Sequence, residues 1–226
     1  MLSATPQPTV QPRHLALFGA TRGIGRELLG QALEAGHAVR ALARDPSSLP
    51  ADPRLTVVEG GALDPEAVRR TITGADAVLC ALGAPARSDS KVRSEGTKHI
   101  VRAMEELGVR RLVCVSVFGA AETRASLPFF LKYVIFPLFL RRVVAEHERQ
   151  ERVIADSSLE WTIVRPPHLV EGGRTGLYAH GFAPDAPGLT YRISRADVAE
   201  LMLREVVEPR YVRRAVGISY EKARAA

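Results

Sequence analysis

Three glycines are the residues of this chain whose type and spacing first indicate chemistry. Gly19, Gly23 and Gly25 follow directly after an apolar run in the segment "LALFGATRGIGRELLG". A glycine turn between a strand and a helix points free backbone N–H groups at a phosphate, and the missing side chains let that phosphate come close. Glycine triplets also occur in ordinary tight turns, so the position between strand and helix carries the interpretation. The sequence therefore predicts a dinucleotide site at this turn.

Arg44 ends the second predicted strand, where the ribose of a dinucleotide is recognised. NAD-selective sites usually place an acidic residue there, which accepts hydrogen bonds from the ribose hydroxyls. A guanidinium matches a 2′-phosphate in charge and in bidentate geometry, so we expect NADP as the cofactor, with NADPH preferred over NADH. Asp45 is the competing acidic group, although "DPSS" also fits a turn or a cap. Arg22 either adds a second cation to the same phosphate or points into solvent.

Strand-length apolar runs alternate with helical segments through most of the chain. The runs are "HLALF", "HAVRALA", "LTVVE", "DAVLCAL" and "RRLVCVS". This alternation predicts an α/β fold, a doubly wound parallel sheet with helices on both faces.

Capping residues indicate the helix boundaries. We expect helices over about 23–35, from Pro65 after the N-cap Asp64, over about 94–107, over about 141–155, and from "SRAD" to about 207. In "SRAD", Ser194 and Asp197 resemble a capping box, with Asp in place of Glu or Gln. The segment "RRAVGIS" is expected to close the sheet, and the irregular, Gly- and Pro-rich residues 166–188 to form a substrate loop.

Length and charge restrict the class of protein. The 226 residues fit one hydrophobic core, so we expect a flexible N-terminal tail over 1–13 and a single domain over 14–226. The net charge is +6, but basic residues alternate with acidic ones, as in "RRVVAEHERQER", and we expect no nucleic-acid partner. A modest positive field would still attract phosphorylated cofactors and acidic small molecules.

The sequence predicts neither a signal peptide nor a transmembrane segment. Cys80 and Cys114 lie in apolar runs, which predicts buried thiols in a cytoplasmic protein. The most apolar stretch, "LPFFLKYVIFPLFL" (127–140), is shorter than the roughly 20 residues of a membrane span and is broken by two prolines and a lysine. It fits a buried helix pair, a pocket wall, a dimer contact or a membrane-surface patch, and we expect a monomer or a homodimer.

Six segments together resemble the atypical short-chain dehydrogenase/reductase group, and within it the biliverdin-IXβ reductase (flavin reductase) family. They are "LALFGATRGIG", "ALARDPSSL", "GADAVLCALGA", "LVCVSVF", "HERQERVIADSSLEWTIVRPPHLVEG" and "SRADVAELML". The similarity extends over nearly the whole chain from His14. It implies a Rossmann fold that binds NADP and passes a hydride from the nicotinamide to a flat conjugated acceptor.

The resemblance also implies roles for individual residues. It places the pyrophosphate at Gly19, Ala20, Thr21, Arg22, Gly23 and Ile24. It places the 2′-phosphate at Arg44, the adenine beside Gly61 and Ala62, and the middle of the cofactor at Ala81, Leu82 and Gly83. Ser116 would lie near the nicotinamide, with Pro166, Pro167 and His168 along the carboxamide side. The chain departs from the family in Arg22, where Gly is common, and in Gly61, where an acidic residue is frequent.

The tyrosines disfavour one kind of reductase chemistry. Typical short-chain dehydrogenases pair a Tyr with a Lys four residues later, which makes the phenol acidic enough to exchange a proton with a carbonyl substrate. Here Tyr191 is followed at that spacing by Arg195, Tyr133 by Pro137, and no tyrosine by lysine. Reduction of a flavin, tetrapyrrole or quinone fits better, because the conjugated ring spreads the charge and solvent can supply the proton.

Two polar residues remain as candidates for the reaction itself. Ser116 either orients the carboxamide or the acceptor, or only caps a loop. His168 either bridges cofactor and substrate or is structural. The alternative to an enzyme is an NmrA-like redox sensor, which binds NADP(H) and reports its redox state to a partner.

Overall fold

An eight-stranded sheet forms the centre of the computed structural model, which describes residues 11–84, 90–121, 123 and 141–222. The strands of the described residues are β1 (His14–Phe18), β2 (Ala38–Ala43), β3 (Leu55–Glu59), β4 (Ala77–Cys80), β5 (Arg111–Val115), β6 (Glu160–Arg165), β7 (His168–Val170), β8 (Ala179–His180), β9 (Arg192–Ser194) and β10 (Arg214–Ser219). The sheet has the order β3-β2-β1-β4-β5-β6-β10-β8, and the short strands β7 and β9 form a second, parallel pair.

The strand pairing confirms the predicted doubly wound parallel sheet. Every neighbouring pair of the large sheet is parallel except β10 and β8, which run antiparallel. The order reverses between β1 and β4, and ligands of such sheets bind in the crevice at this switch point, outside the carboxyl ends of the strands.

Five helices of the described residues cover the two faces of the sheet. They are α1 (Gly23–Glu34), α2 (Pro65–Ile72), α3 (Val92–Leu107), α4 (Arg141–Ala155) and α5 (Arg195–Val207). Side chains of α1 and α5 fill one apolar core, and those of α2, α3 and α4 fill the other. The sheet therefore separates two cores, as the doubly wound fold requires.

Local sequence signals account for most of these boundaries. The Asp64 side chain caps α2 by accepting from the N–H groups of Glu66 and Ala67 at 3.0 and 3.2 Å. Gly36 and Gly108 adopt the left-handed conformation expected after α1 and α3. Helix α4 ends at Ala155, as predicted.

Three expectations about the elements need correction. Helix α3 begins at Val92, two residues before the predicted start, and the Val92 N–H group donates to the Ser90 hydroxyl at 3.3 Å. Strand β10 does not end the sheet, because β8 pairs along its outer side. Residues 166–188 are not wholly irregular, since they contain β7 and β8.

Some predicted features lie outside the described residues. They are most of the N-terminal tail, residues 1–10, and the apolar stretch 127–140. Among the helices that are described, none combines the length and the apolar character needed to cross a bilayer.

Two glycines inside α1 differ in what surrounds them, which leads to a prediction. A Cβ at Gly25 would lie 2.0 Å from the Gly19 carbonyl oxygen, whereas nothing lies within 4 Å of one at Gly30. We expect Gly25→Ala to lower the free energy of unfolding by about 1 to 3 kcal/mol, because backbone must move to admit the methyl group. Gly30→Ala is the control and should raise it by roughly 0.5 to 1 kcal/mol. Urea denaturation of both variants measures the difference, and equal effects would contradict the packing argument.

Candidate active site

The turn after β1 lies directly against the end of β4. Gly19 has a φ of +91°, and a Cβ there would lie only 2.3 Å from the carbonyl oxygen of Ala81. The Ala81 N–H group in turn donates to the Phe18 carbonyl at 2.8 Å. The structure thus brings Gly19 and Ala81, both predicted to line the cofactor, into backbone contact at the switch point.

The first turn of α1 lacks the side-chain cap that α2 and α5 have. Its N-cap residue, Arg22, makes no side-chain hydrogen bond to the turn, and no acidic residue lies in the turn. By contrast, Asp64 caps α2 and Ser194 caps α5. The N–H groups at Gly23 and the following residues therefore face the crevice with the positive end of the helix dipole, which suits a phosphate.

Arg44 and the predicted adenine residues form a continuous surface. Arg44 is exposed, and its Cγ lies 3.8 Å from where a Cβ of Gly61 would be. Gly96 lets both Ala62 and Leu82 pack closely against α3. A Cβ at Gly96 would lie 2.9 Å from the Ala62 Cβ and 3.0 Å from Leu82 Cδ1. Residues from the ends of β2, β3 and β4 therefore meet beside Arg44.

The acidic residue next to Arg44 already has partners. One carboxylate oxygen of Asp45 accepts from the Ser47 N–H group at 3.0 Å and from the Ser47 hydroxyl at 2.7 Å, which caps the 3-10 turn Pro46–Ser48. Within the described residues, by contrast, Arg44 has no hydrogen bond or ion pair. Of the two interpretations of "DPSS", the structure supports the cap.

The predicted nicotinamide end lies at the carboxyl ends of β5 and β6. Ser116 follows β5, and its N–H group donates to the Val164 carbonyl at 2.8 Å. Its side chain is only 6% exposed, and its Oγ atom finds no hydrogen-bond partner in the described structure. A buried hydroxyl left unpaired is costly. Among the described residues, the Ser116 hydroxyl therefore caps no loop.

Pro166 and His168 follow the carboxyl end of β6. Pro166 is buried, and its carbonyl accepts from the Phe118 N–H group at 2.9 Å. His168 begins β7 with an exposed side chain, and its N–H group donates to the Tyr191 carbonyl at 3.2 Å. The structure thus places Ser116, Pro166 and His168 just beyond the carboxyl ends of the neighbouring strands β5 and β6.

An aromatic pair that the sequence did not reveal lies next to Pro166 and His168. The rings of Phe118 and Tyr191 are 5.4 Å apart between centroids. Tyr191 has a φ of +53°, which a non-glycine residue adopts at a cost and mostly in functional or tightly constrained segments. Since the two residues are 73 positions apart, no local pattern could have found the pair.

Asp197 holds the loop after β7 on the start of α5. Its carboxylate accepts from the N–H groups of Thr175 and Gly176 at 2.7 and 3.0 Å, and from the hydroxyls of Thr175, Ser194 and Tyr220. Burial alone would raise the pKa of Asp197, but the hydrogen bonds from Tyr220, Gly176 and Thr175 outweigh it and lower the pKa.

This arrangement corrects the expected capping box. Ser194 caps α5 by accepting from the Asp197 N–H group at 3.0 Å, as predicted. The Asp197 carboxylate does not return to the Ser194 N–H group, which donates to the Tyr220 hydroxyl at 3.2 Å instead. The shorter Asp side chain serves the loop rather than the cap.

His147 is a residue of α4 and lies near Arg93 of α3. It is buried, and burial together with the nearby Arg93 lowers its pKa to about 4. The neutral imidazole is a packing group at physiological pH. Among the described residues, no cluster of three or more His, Cys, Asp or Glu side chains could hold a metal ion.

Comparison with known proteins identifies relatives of this chain. Residues 19–209 match the model of a family described as NAD(P)H-binding. The reductase pytE of Aspergillus terreus is 27% identical over an alignment that covers 91% of this chain and 97% of that protein.

Solved structures share the fold. The anaerobilin reductase ChuY of Escherichia coli O157:H7 superposes with a TM-score of 0.78 at 21% identity, covering 94% of this chain and 99% of that one. A short-chain dehydrogenase/reductase of Veillonella parvula in complex with NADP gives a TM-score of 0.75 at 20% identity, covering 95% and 100%. These likenesses confirm the predicted Rossmann-type fold.

The network around Asp197 leads to a prediction about stability. The lowered pKa means that the carboxylate adds stability above its ordinary pKa of 3.8, and that this stability disappears as the pH falls through the lower value in the folded protein. We expect Asp197→Asn to cost about 2 to 3 kcal/mol at pH 7, the range of hydrogen bonds to a charged group. The amides of Thr175 and Gly176 should then exchange hydrogen faster.

Asp185→Asn is the matched control, because Asp185 is exposed in the same region and has no hydrogen bond among the described residues. Urea denaturation and amide exchange measure both variants. If Asp197→Asn behaved like the control at pH 7, the carboxylate would not hold the loop.

Proposed function

Because this chain belongs to the NAD(P)H-binding family, we propose that it is an NADPH-dependent reductase acting on a flat conjugated acceptor such as a flavin or a biliverdin-like tetrapyrrole. The single observation that carries the choice of NADPH is Arg44. Its guanidinium has no partner among the described residues, while the neighbouring Asp45 is engaged with Ser47. A free cation at the end of β2 favours a 2′-phosphate over a bare ribose.

The described residues fit such a cofactor along its whole length. The uncapped N–H groups from Gly23 onward would bind the pyrophosphate, and Arg44 the 2′-phosphate. The surface at Gly61 and Ala62 would hold the adenine, since no side chain at Gly61 obstructs it. Ser116, with its unpaired buried hydroxyl, would meet the polar nicotinamide end. When bound, NADPH supplies the hydride.

The acceptor class follows from what the chain lacks for carbonyl chemistry. No tyrosine has a lysine four residues later to act as a proton donor. A conjugated ring that receives a hydride spreads the resulting negative charge, and water can then supply the proton. The activity of the anaerobilin reductase, whose fold this chain shares, supports a tetrapyrrole as one member of that class.

Ser116 and His168 then have positioning roles. The Ser116 hydroxyl would donate to the carboxamide or the acceptor and so fix the distance for hydride transfer. His168, exposed beside the Phe118–Tyr191 pair, would border the acceptor. Tyr191 offers this acceptor a half-buried aromatic face.

NADPH oxidation measured against flavins, biliverdins and quinones tests the proposal. Turnover with one of these classes supports a reductase and identifies the acceptor class at once. NADPH binding without turnover on any acceptor would instead support the redox sensor, which needs the same nucleotide site but no hydride transfer.

Arg44→Ala tests the cofactor choice. We expect this variant to weaken NADPH binding by roughly 1.5 to 3 kcal/mol, the scale of a hydrogen bond to a charged group, and to leave NADH nearly unchanged. Titration calorimetry with both nucleotides measures the difference. Equal losses for NADPH and NADH would remove the argument for a 2′-phosphate site.

Ser116→Ala and His168→Ala test the positioning roles. Each should lower kcat/KM by about tenfold to a hundredfold, roughly 1.4 to 2.7 kcal/mol of transition-state stabilisation. Without nucleotide, Ser116→Ala should be as stable as the wild type or more so, since it removes a buried unpaired hydroxyl. A millionfold loss of turnover with intact NADPH binding would reveal an obligatory acid or base and contradict the solvent-proton mechanism.

A further inference from the structure

Arg195 approaches the phosphate turn from α5, the helix that packs beside α1 on the same face of the sheet. It is the first residue of α5, and its Cδ lies 4.0 Å from where a Cβ of Gly23 would be. Its side chain is 34% exposed. The Arg195 side chain therefore passes close to the first residue of α1, although Arg195 and Gly23 are 172 positions apart in sequence.

Arg195 is paired with a carboxylate that it can readily exchange. Its Nη1 donates to Glu171 Oε1 at 2.6 Å, and the Glu171 side chain is 95% exposed. An ion pair as exposed to solvent as this one contributes little to stability. Another anion can therefore replace the carboxylate at small cost.

The start of α1 is a place where an anion would be stabilised. Its first turn has neither a side-chain cap nor an acidic residue, so the positive end of the helix dipole is left without an anion from the turn itself. Arg195 adds a full positive charge beside that turn. Helix dipole and guanidinium together favour a doubly charged diphosphate over the single carboxylate of Glu171.

We propose that Arg195 is a further cofactor-binding residue, which leaves Glu171 and binds the pyrophosphate of the dinucleotide, with Glu171 as its competing anion. The inference rests on the proposed placement of the pyrophosphate at residues 19–24. It also distinguishes two arginines: NADH and NADPH share the pyrophosphate, so Arg195 serves both, whereas Arg44 serves only the 2′-phosphate.

Nucleotide titration of the full chain tests this role. Arg195→Ala should weaken NADPH and NADH alike, by about tenfold each, as expected for a partly exposed charge-assisted hydrogen bond. Glu171→Gln should strengthen both by a few-fold, because it removes the competitor. In the Arg195→Ala background, Glu171→Gln should have no effect, since there is no guanidinium to release.

Arg192→Ala is the matched control. Arg192 is exposed three residues upstream, and among the described residues its side chain has no hydrogen bond or ion pair. This variant removes the same charge and should bind both nucleotides within about twofold of the wild type. A thermal unfolding scan of each variant establishes that it is folded.

The outcomes separate this inference from the proposed function. If Arg195→Ala binds both nucleotides as tightly as the wild type, or loses affinity for NADPH alone, the proposed role of Arg195 is wrong. The reductase proposal is unaffected by either result. A wild-type chain that binds neither nucleotide overturns the placement of the cofactor, and this inference with it.

Discussion

The site depends on a backbone contact between the turn after β1 and the end of β4. Neither glycine at this contact has room for a side chain, because a Cβ at Gly19 would meet the Ala81 carbonyl and a Cβ at Gly25 would meet the Gly19 carbonyl. With both positions free of side chains, α1 begins directly at the switch point of the sheet. Its first N–H groups then face the crevice in which the other strand ends also terminate.

Hydrogen bonds to charged groups hold α5 against its neighbours at both of its ends. The buried Arg111 of β5 donates to the Glu205 carbonyl at 2.7 Å and to the Thr162 hydroxyl at 2.8 Å, and so joins α5 to two strands of the sheet. Burial lowers the pKa of Arg111, opposed by the charges of Glu205 and Glu160. Such groups fix direction as well as distance, because a charge buried without its partners is strongly unfavourable. Asp197 extends this tie from α5 to the loop at Thr175 and Gly176.

Features that depend on residues close together in the sequence were predicted, and features that depend on distant residues were missed. Strand runs, the Asp64 cap and the end of α4 depend on neighbouring residues, and all were predictable. The resemblance to the atypical short-chain dehydrogenase/reductase group is confirmed at the level of the NAD(P)H-binding family. Strands β7 and β8 were missed because each exists only through pairing with a distant segment, β9 or β10.

The residues of the site show the same division. Those after β1 to β6 were predicted from the family resemblance, and their positions agree with the rule that ligands meet strand ends, which needs only the order of elements. Asp197 was misjudged because its partners, Thr175 and Tyr220, come from segments that no local pattern connects to α5. Arg195 was noticed only as an arginine where a catalytic lysine would stand after Tyr191. Its proximity to Gly23 is a tertiary fact.

Local arrangement of charge, rather than the net charge of +6, gives this chain its expected preference for a dinucleotide. Several arginines of the helices are paired with a nearby carboxylate, as Arg102 is with Glu106 at 2.8 Å on α3. Arg44 has no such partner among the described residues, and Arg195 has one that is almost fully exposed. A cation without a partner gains most from a new phosphate, because it gives up only water, whereas a paired cation must first give up its carboxylate. The same nucleotide would thus meet one arginine that sets selectivity and another whose contribution is reduced by its own carboxylate.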